Sequence, residues 1–353
     1  LKTKFEDEKG GGRGRSRAIT TKLTGSHLCF HVEGCGMEKE SAQRAGAALT
    51  VCLSFDFDGP SGWLADDSRS IADVSRGEFA AVAVPRILDL LDKHGVSATF
   101  FVPGHTALAY PRHVEDILGR GHEVGHHGWV HETPGTFDLD RQREFFARGI
   151  DALERVAGIR PVGYRAPGIG YTPETIQVLA ENGIAYDSGL SASDFQPYYL
   201  RQGDLLSATE PYLFGTTTGI VELPFAWALD DWVHFEYYAG QAMTLNAPSA
   251  VREVWQAEFD YAWEKEPGGV FILCMHPEVI GRGSRIMMLD SLIEHMASRP
   301  GVRFEKMADF ATRWRSANTV DAWLASSSPL VPRPFPLQDS PRSEATAGKN
   351  AIR

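Results

Sequence analysis

Val51-Cys-Leu-Ser-Phe-Asp-Phe-Asp-Gly-Pro60 is an apolar run of strand length that ends in two carboxylates and a turn. In α/β enzymes the chemistry sits at the C-terminal ends of parallel strands, and Asp56 and Asp58 are delivered to such an end. Two residues apart on a regular strand, they share one face. The same stretch excludes a common alternative. A dinucleotide-binding fold would place a glycine cradle directly after its first strand, and here carboxylates occupy that place.

Outward from this strand the chain alternates. Leu49 to Phe55, Ala98 to Val102, Gly219 to Leu223 and Val270 to Met275 are apolar runs of strand length, rich in Val, Ile and Phe. Between them, Phe79, Val82, Ala83, Ile87, Leu90 and Leu91 follow helical spacing, as do Val251, Val254, Trp255, Phe259 and Ala262. Further helices are expected near 140–156, 173–182 and 284–297. Repeated strand and helix units imply a parallel sheet with helices outside, and at this length a barrel is the economical closure.

The chain has 353 residues, 43% of them hydrophobic, and this is enough for a sizeable core. A net charge of -11 argues against a nucleic-acid binder and against attraction to an anionic membrane. No apolar run reaches the roughly 20 residues that span a bilayer, and the first residues lack the apolar centre of a signal peptide, so a cytoplasmic location is expected. Residues 1–47, rich in Gly, Lys, Arg and Glu, read as a flexible leader. Residues 48–315 read as the domain of alternating strands and helices, and 316–353 as an extended tail punctuated by Pro and Ser. Cys52 and Cys274 fall inside strand-like runs and read as small buried hydrophobes. His27, Cys29, His31 and Cys35 match none of the usual two-pair zinc spacings.

The chemistry gathers around Gly121-His-Glu-Val-Gly-His-His-Gly-Trp-Val-His-Glu132, in which His127 and His131 stand four residues apart. With Asp58 they make a two-His, one-Asp set that leaves coordination positions open for water and substrate, as a catalytic metal site requires. A metal there would lower the pKa of its water toward ~7 and polarise a carbonyl, so hydrolysis is the natural reaction. Asp56 is placed to take the water proton and Arg165 to hold Asp56 ionised. His276, at the end of the strand beginning near Val270, is placed to protonate a leaving amine. Trp129, Trp227, Trp232, Phe235, Tyr237 and Tyr238 are candidates for an apolar cleft wall. His122 and His126 carry no assigned role.

The ordered segments Ser-Phe-Asp-Phe-Asp-Gly, His-His-Gly-Trp-Val-His, Arg-Ala-Pro-Gly, Leu-Pro-Phe-Ala-Trp-Ala-Leu-Asp-Asp-Trp and Leu-Cys-Met-His-Pro resemble the polysaccharide deacetylase family, the NodB-homology domain of carbohydrate esterase family 4. The resemblance implies a distorted (β/α) barrel of seven or eight strands and a metal-dependent enzyme that removes acetyl groups from N-acetylated sugars. It implies Asp56 as general base, Asp58, His127 and His131 as metal ligands, Arg165 as orienter of the base and His276 as general acid. It also implies Asp231 as the aspartate that tunes His276, with Asp230 a competitor for that role. Zn2+ is the expected ion, while Co2+, Mn2+ and Fe2+ accept the same ligands.

Two departures mark a branch. Phe57 separates aspartates that are usually adjacent, and Gly128 follows the first metal histidine in place of a hydroxyl residue. With Trp63 after the first strand and the pair His131-Glu132, the pattern looks like peptidoglycan-deacetylase-like proteins and cyclic imide hydrolases. The substrate is then an N-acetylated sugar or a small cyclic amide, with Trp63, Trp129 and Trp232 as binding residues. Non-haem iron oxygenases share the ligand types, but their first pair reads His-x-Asp or His-x-Glu. A non-catalytic binding protein would not need the acid, base and ligand set together. The oligomeric state, a homo-oligomer included, is left open by the sequence.

Overall fold

The computed structural model describes residues 49–65, 67–237 and 245–333. The leader 1–47, with its His and Cys cluster, and the last twenty residues lie outside them. Among the described residues nine strands form one sheet: β1 (Thr50–Asp56), β2 (Thr99–Val102), β3 (Glu123–His126), β4 (Gly163–Tyr164), β5 (Tyr186–Asp187), β6 (Tyr198–Gln202), β7 (Thr216–Glu222), β8 (Val270–Met275) and β9 (Arg303–Phe304). The order is β6-β7-β5-β4-β3-β2-β1-β8, with β9 beside β1. Every pair is parallel except β6 with β7. The sheet curls into the expected distorted barrel. Strand pairing stops at β6 and β8, where the Val270 N–H donates to the Phe195 carbonyl at 2.8 Å.

The centre of the sheet follows from the β1 sequence. All seven of its residues are buried. Val51, Leu53 and Phe55 pack outward against the helix Ala80–His94, while Cys52 joins the cluster that contains Phe101, Tyr186 and Ile272. Burial of each large outward side chain stabilises the layer by roughly 1.5–3 kcal/mol. Pro85 lies inside the helix Ala80–His94 and has no N–H to donate. The Ala81 carbonyl four residues earlier is met instead by His113 Nε2 at 3.0 Å.

Inside the barrel a tyrosine dictates a glycine. A Cβ on Gly163 of β4 would stand 2.0 Å from the Tyr186 ring, so only glycine lets this aromatic fill the space. The Tyr186 hydroxyl donates to Glu123 Oε1 at 2.8 Å, and Thr99 Oγ1 donates to Glu123 Oε2 at 2.8 Å. The Ala308 N–H, on the helix Met307–Ala317, donates to Glu123 Oε2 at 3.0 Å. This helix therefore belongs to the barrel.

The anticipated long helices are present as Ala80–His94, Leu139–Ala157, Pro173–Glu181, Pro248–Lys265 and Gly283–Ala297. Order continues past the expected boundary at 315, which falls inside Met307–Ala317. A helix at Val320–Leu324 buries Trp323 against Tyr199, whose hydroxyl donates to the Asn318 carbonyl at 2.6 Å. Residues 316–333 are packed rather than extended, because Trp323 and Val331 supply apolar surface that the barrel side covers. Among the described residues, no helix is long and apolar enough to cross a membrane.

Candidate active site

Strand register brings the candidate residues to one end of the barrel. Asp56 is the last residue of β1, and Phe55 pairs with Met275, so His276 comes level with Asp56 just beyond β8. His126 of β3 pairs with Tyr164 of β4, which sets His127 beside Arg165. The Asp231 N–H donates to the Cys274 carbonyl at 3.1 Å and draws that loop against β8.

Asp58, His127 and His131 converge, with ligand atoms all within 4.8 Å of one another. His127 Nδ1 lies 2.8 Å from the Arg165 carbonyl oxygen, which can only accept. The proton of the neutral ring is thereby fixed on Nδ1, and Nε2 presents its lone pair. That Nε2 lies 3.3 Å from Asp58 Oδ1, and His131 Nε2 lies 3.2 Å from Asp58 Oδ2. Ligands about 2.1 Å from a tetrahedral ion stand about 3.4 Å apart, so the spacing fits one ion. Asp58 Oδ1 and His127 Nε2 are also buried without a hydrogen-bond partner among the described residues. Such orphans are costly in a native interior, and a cation between them would satisfy both. Burial alone would raise the Asp58 carboxyl, but the imidazoles of His131, His127 and His276 override it and hold the group well below its ordinary range.

Behind this set lies a buried ion pair. Arg165 is fully buried, and one of its Nη atoms lies 2.6 Å from Asp56 Oδ1. Its Nε donates to the Ser188 carbonyl at 2.7 Å, its other Nη to Ser188 Oγ at 3.0 Å, and the first Nη also to Ser54 Oγ at 3.0 Å. The Cys274 thiol lies 3.5 Å from Asp56 Oδ2 and 3.4 Å from Arg165, so this cysteine does more than pack. Burial would lower the guanidinium's pKa, yet the Asp56 charge lifts it.

On the far side, His276 Nδ1 lies 2.7 Å from Asp231 Oδ1. Burial would depress this imidazole, but the hydrogen bond and charge of Asp231, helped by Asp230 and Asp58, raise it well above its ordinary value. Between the two aspartates that the sequence left in competition, Asp231 makes the contact. Asp230 instead accepts the Trp232 N–H at 2.7 Å and lines the cleft, its carboxyl pushed up to about 6 by burial and the neighbouring Asp231.

A cleft of about 240 Å³ opens over these groups, lined by Asp56, Asp58, His127, His131, Trp232 and His276, with Trp227 at its rim. The Trp63 ring is 92% covered and packs 5.9 Å from Trp232, which places it behind the wall. Trp129 stands elsewhere, and its expected place in the cleft needs correction. Its ring lies beneath the Arg148 guanidinium and edge-on to His105, beside a separate depression, because the loop turns at Gly128 and carries it outward. Phe235 is buried in the core, and Tyr238 lies outside the described residues. His126 is structural: its Nδ1 accepts the Gly128 N–H, its Nε2 donates to the Phe146 carbonyl, and burial lowers it to about 3. Sequence reading gave no role in the site to Ser54 or Ser188, and used Glu132 only as a mark of the branch, since lone hydroxyls and an acid beside a histidine carry no spacing signal.

A family profile described as polysaccharide deacetylase matches residues 48–186. A peptidoglycan deacetylase of Helicobacter pylori is 32% identical over 279 residues, which span 74% of this chain and 95% of that protein. The chain belongs to the polysaccharide deacetylase family. A solved Mycobacterium smegmatis structure assigned to the polysaccharide deacetylases is 36% identical, with a TM-score of 0.69 over 77% of this chain and 92% of that one. The fold likeness extends to Puue allantoinase at 20% identity and a TM-score of 0.64, covering 76% and 91% of the two chains, and there it is a likeness of fold alone. As a polysaccharide deacetylase family member, the protein is a hydrolase of amide carbon–nitrogen bonds outside peptides.

Proposed function

We propose that this deacetylase family member removes acetyl groups from N-acetylated amino sugars of a polysaccharide or of peptidoglycan by metal-assisted amide hydrolysis. The observation that carries the reading is the convergence of Asp58, His127 and His131 on one point of the cleft, with two buried ligand atoms unpartnered among the described residues. Those three residues would hold a divalent ion, Zn2+ first by ligand type. Bound there, the ion supplies Lewis-acid polarisation and a water of lowered pKa.

The remaining steps belong to side chains. Asp56, oriented by Arg165, accepts the proton of the attacking water as its oxygen bonds to the acetyl carbon. His276, held as imidazolium by Asp231, donates a proton to the amide nitrogen as the carbon–nitrogen bond breaks. Acetate and a free amine leave. The Trp232 ring, 4.9 Å from the His276 ring, offers an apolar face to a sugar ring.

Acetate release from chitooligosaccharides and peptidoglycan fragments, assayed beside succinimide, hydantoin and allantoin with Zn2+ supplied, tests the reading. Turnover of the acetylated sugars is expected. Hydrolysis confined to the cyclic compounds would replace the deacetylase assignment with a cyclic amide hydrolase.

A further inference from the structure

His127 and His131 are aimed by different means. The His127 ring is oriented in the usual manner, by a hydrogen bond from its second nitrogen to a backbone carbonyl. The His131 ring has no such bond among the described residues, and its side chain is the more exposed, 21% against 2% for His127. Its direction is therefore set by its backbone. That backbone is unusual, since His131 sits at φ 67° in the left-handed region that residues with a Cβ rarely adopt.

The conformation is held from the next residue. Glu132 is buried, and its carboxylate folds back over its own loop. The Trp129 N–H donates to Oε1 at 2.9 Å and to Oε2 at 3.1 Å, and the Val130 N–H donates to Oε2 at 2.7 Å. Successive N–H groups converging on an anion form a nest, and here the anion is internal. Gly128 leaves room for it: a Cβ there would stand 2.9 Å from Glu132 Oε1 and 3.0 Å from Pro167 Cγ.

We infer that Glu132 is a positioning residue that fixes the backbone of His131 and so aims its imidazole at the metal point. The inference rests on the proposed ligand role of His131. Without the carboxylate, the N–H groups of Trp129 and Val130 lose their acceptor and the loop loses its reason to hold His131 left-handed. An alanine at 132 removes the anion altogether. A glutamine retains one acceptor oxygen but turns an amide donor toward N–H groups.

Zn2+ affinity, measured on folded apoprotein by competition with a chromogenic chelator, distinguishes a positioning role from a merely structural one. Glu132→Gln and Glu132→Ala are expected to bind Zn2+ at least about 10-fold more weakly than wild type, the usual effect of losing a group that orients a ligand. Circular dichroism confirms the fold, and Glu132→Gln decides the matter if Glu132→Ala does not fold. Wild-type affinity in folded Glu132→Gln, with His131→Ala strongly impaired, overturns the inference and leaves the metal site standing. Wild-type affinity in His131→Ala overturns the ligand assignment itself, and the inference with it.

Discussion

Asp231 grips His276 twice. Its Oδ1 lies 2.7 Å from the imidazole Nδ1, and its two oxygens accept the His276 backbone N–H at 3.1 and 3.0 Å. One buried carboxylate thus fixes both the rotamer and the charge of the proposed acid. The remaining nitrogen, Nε2, comes within 3.9 Å of Asp58 Oδ2 at the cleft.

Removing the acid and loosening it should differ in degree. His276→Ala is expected to cut kcat by roughly 10² to 10⁴, the usual contribution of a positioned general acid. Asp231→Asn keeps the shape but removes the anion, so its kcat falls by less while KM stays near the wild-type value. Steady-state kinetics on one chitooligosaccharide compare the two, and an unchanged kcat in His276→Ala would remove this residue from the mechanism.

The ion pair of Asp56 with Arg165 carries stability and rate separately. Asp56→Asn should lower kcat by about 10² to 10⁴ while one Zn2+ per chain is still bound, a stoichiometry read by elemental analysis. Arg165→Met strands a buried carboxylate and should cost about 3–5 kcal/mol of stability, as breaking one partner of a buried pair does. A denaturant midpoint close to wild type in Arg165→Met would contradict the stabilising role.

Chelation should abolish turnover and also lower the melting temperature, since an ion that binds only the folded state stabilises it by about 2.7 kcal/mol at one hundred times its Kd. Asp58→Asn should show the low melting temperature with or without added Zn2+. Full activity in exhaustively chelated protein, checked for residual metal, would falsify the metal-assisted route.

Much of this site was legible because it sits at ends of strands or within a spaced motif. Asp56, Asp58 and His276 follow apolar runs that announce β1 and β8, and the His127 and His131 spacing is explicit. What escaped was carried in part by a short polar strand. β5 has two residues, too few for any periodicity, and it places Ser188. Trp129 was misplaced because a left-handed Gly128 redirects the loop, and a glycine's φ cannot be read from its neighbours. Glu132 was visible as a residue but not as a contact, since its partners are backbone N–H groups.

The buried acids Asp187 and Glu222 give the protein a pH dependence of its own. They occupy paired positions on β5 and β7, and Asp187 Oδ1 accepts the Tyr171 hydroxyl at 2.9 Å. Glu222 Oε1 accepts the N–H groups of Gly189 and Leu190, each at 2.8 Å. Asp187 Oδ2 and Glu222 Oε2 have no other partner among the described residues, so a proton held between the two carboxyls satisfies both. Burial pushes Asp187 up to about 6 and lifts Glu222 well above its ordinary value. A carboxyl raised on folding contributes stability that is full below its unfolded pKa, near 4, and is lost as pH rises through the folded value. Wild-type stability should therefore decline by roughly 1–3 kcal/mol between about pH 4 and 7, relative to Glu222→Gln. The glutamine amide donates to Asp187 Oδ2 without a titrating proton, while its oxygen still accepts from Gly189 and Leu190. Urea midpoints at half-unit pH steps compare the two proteins, and parallel profiles would show that no proton is held between these acids.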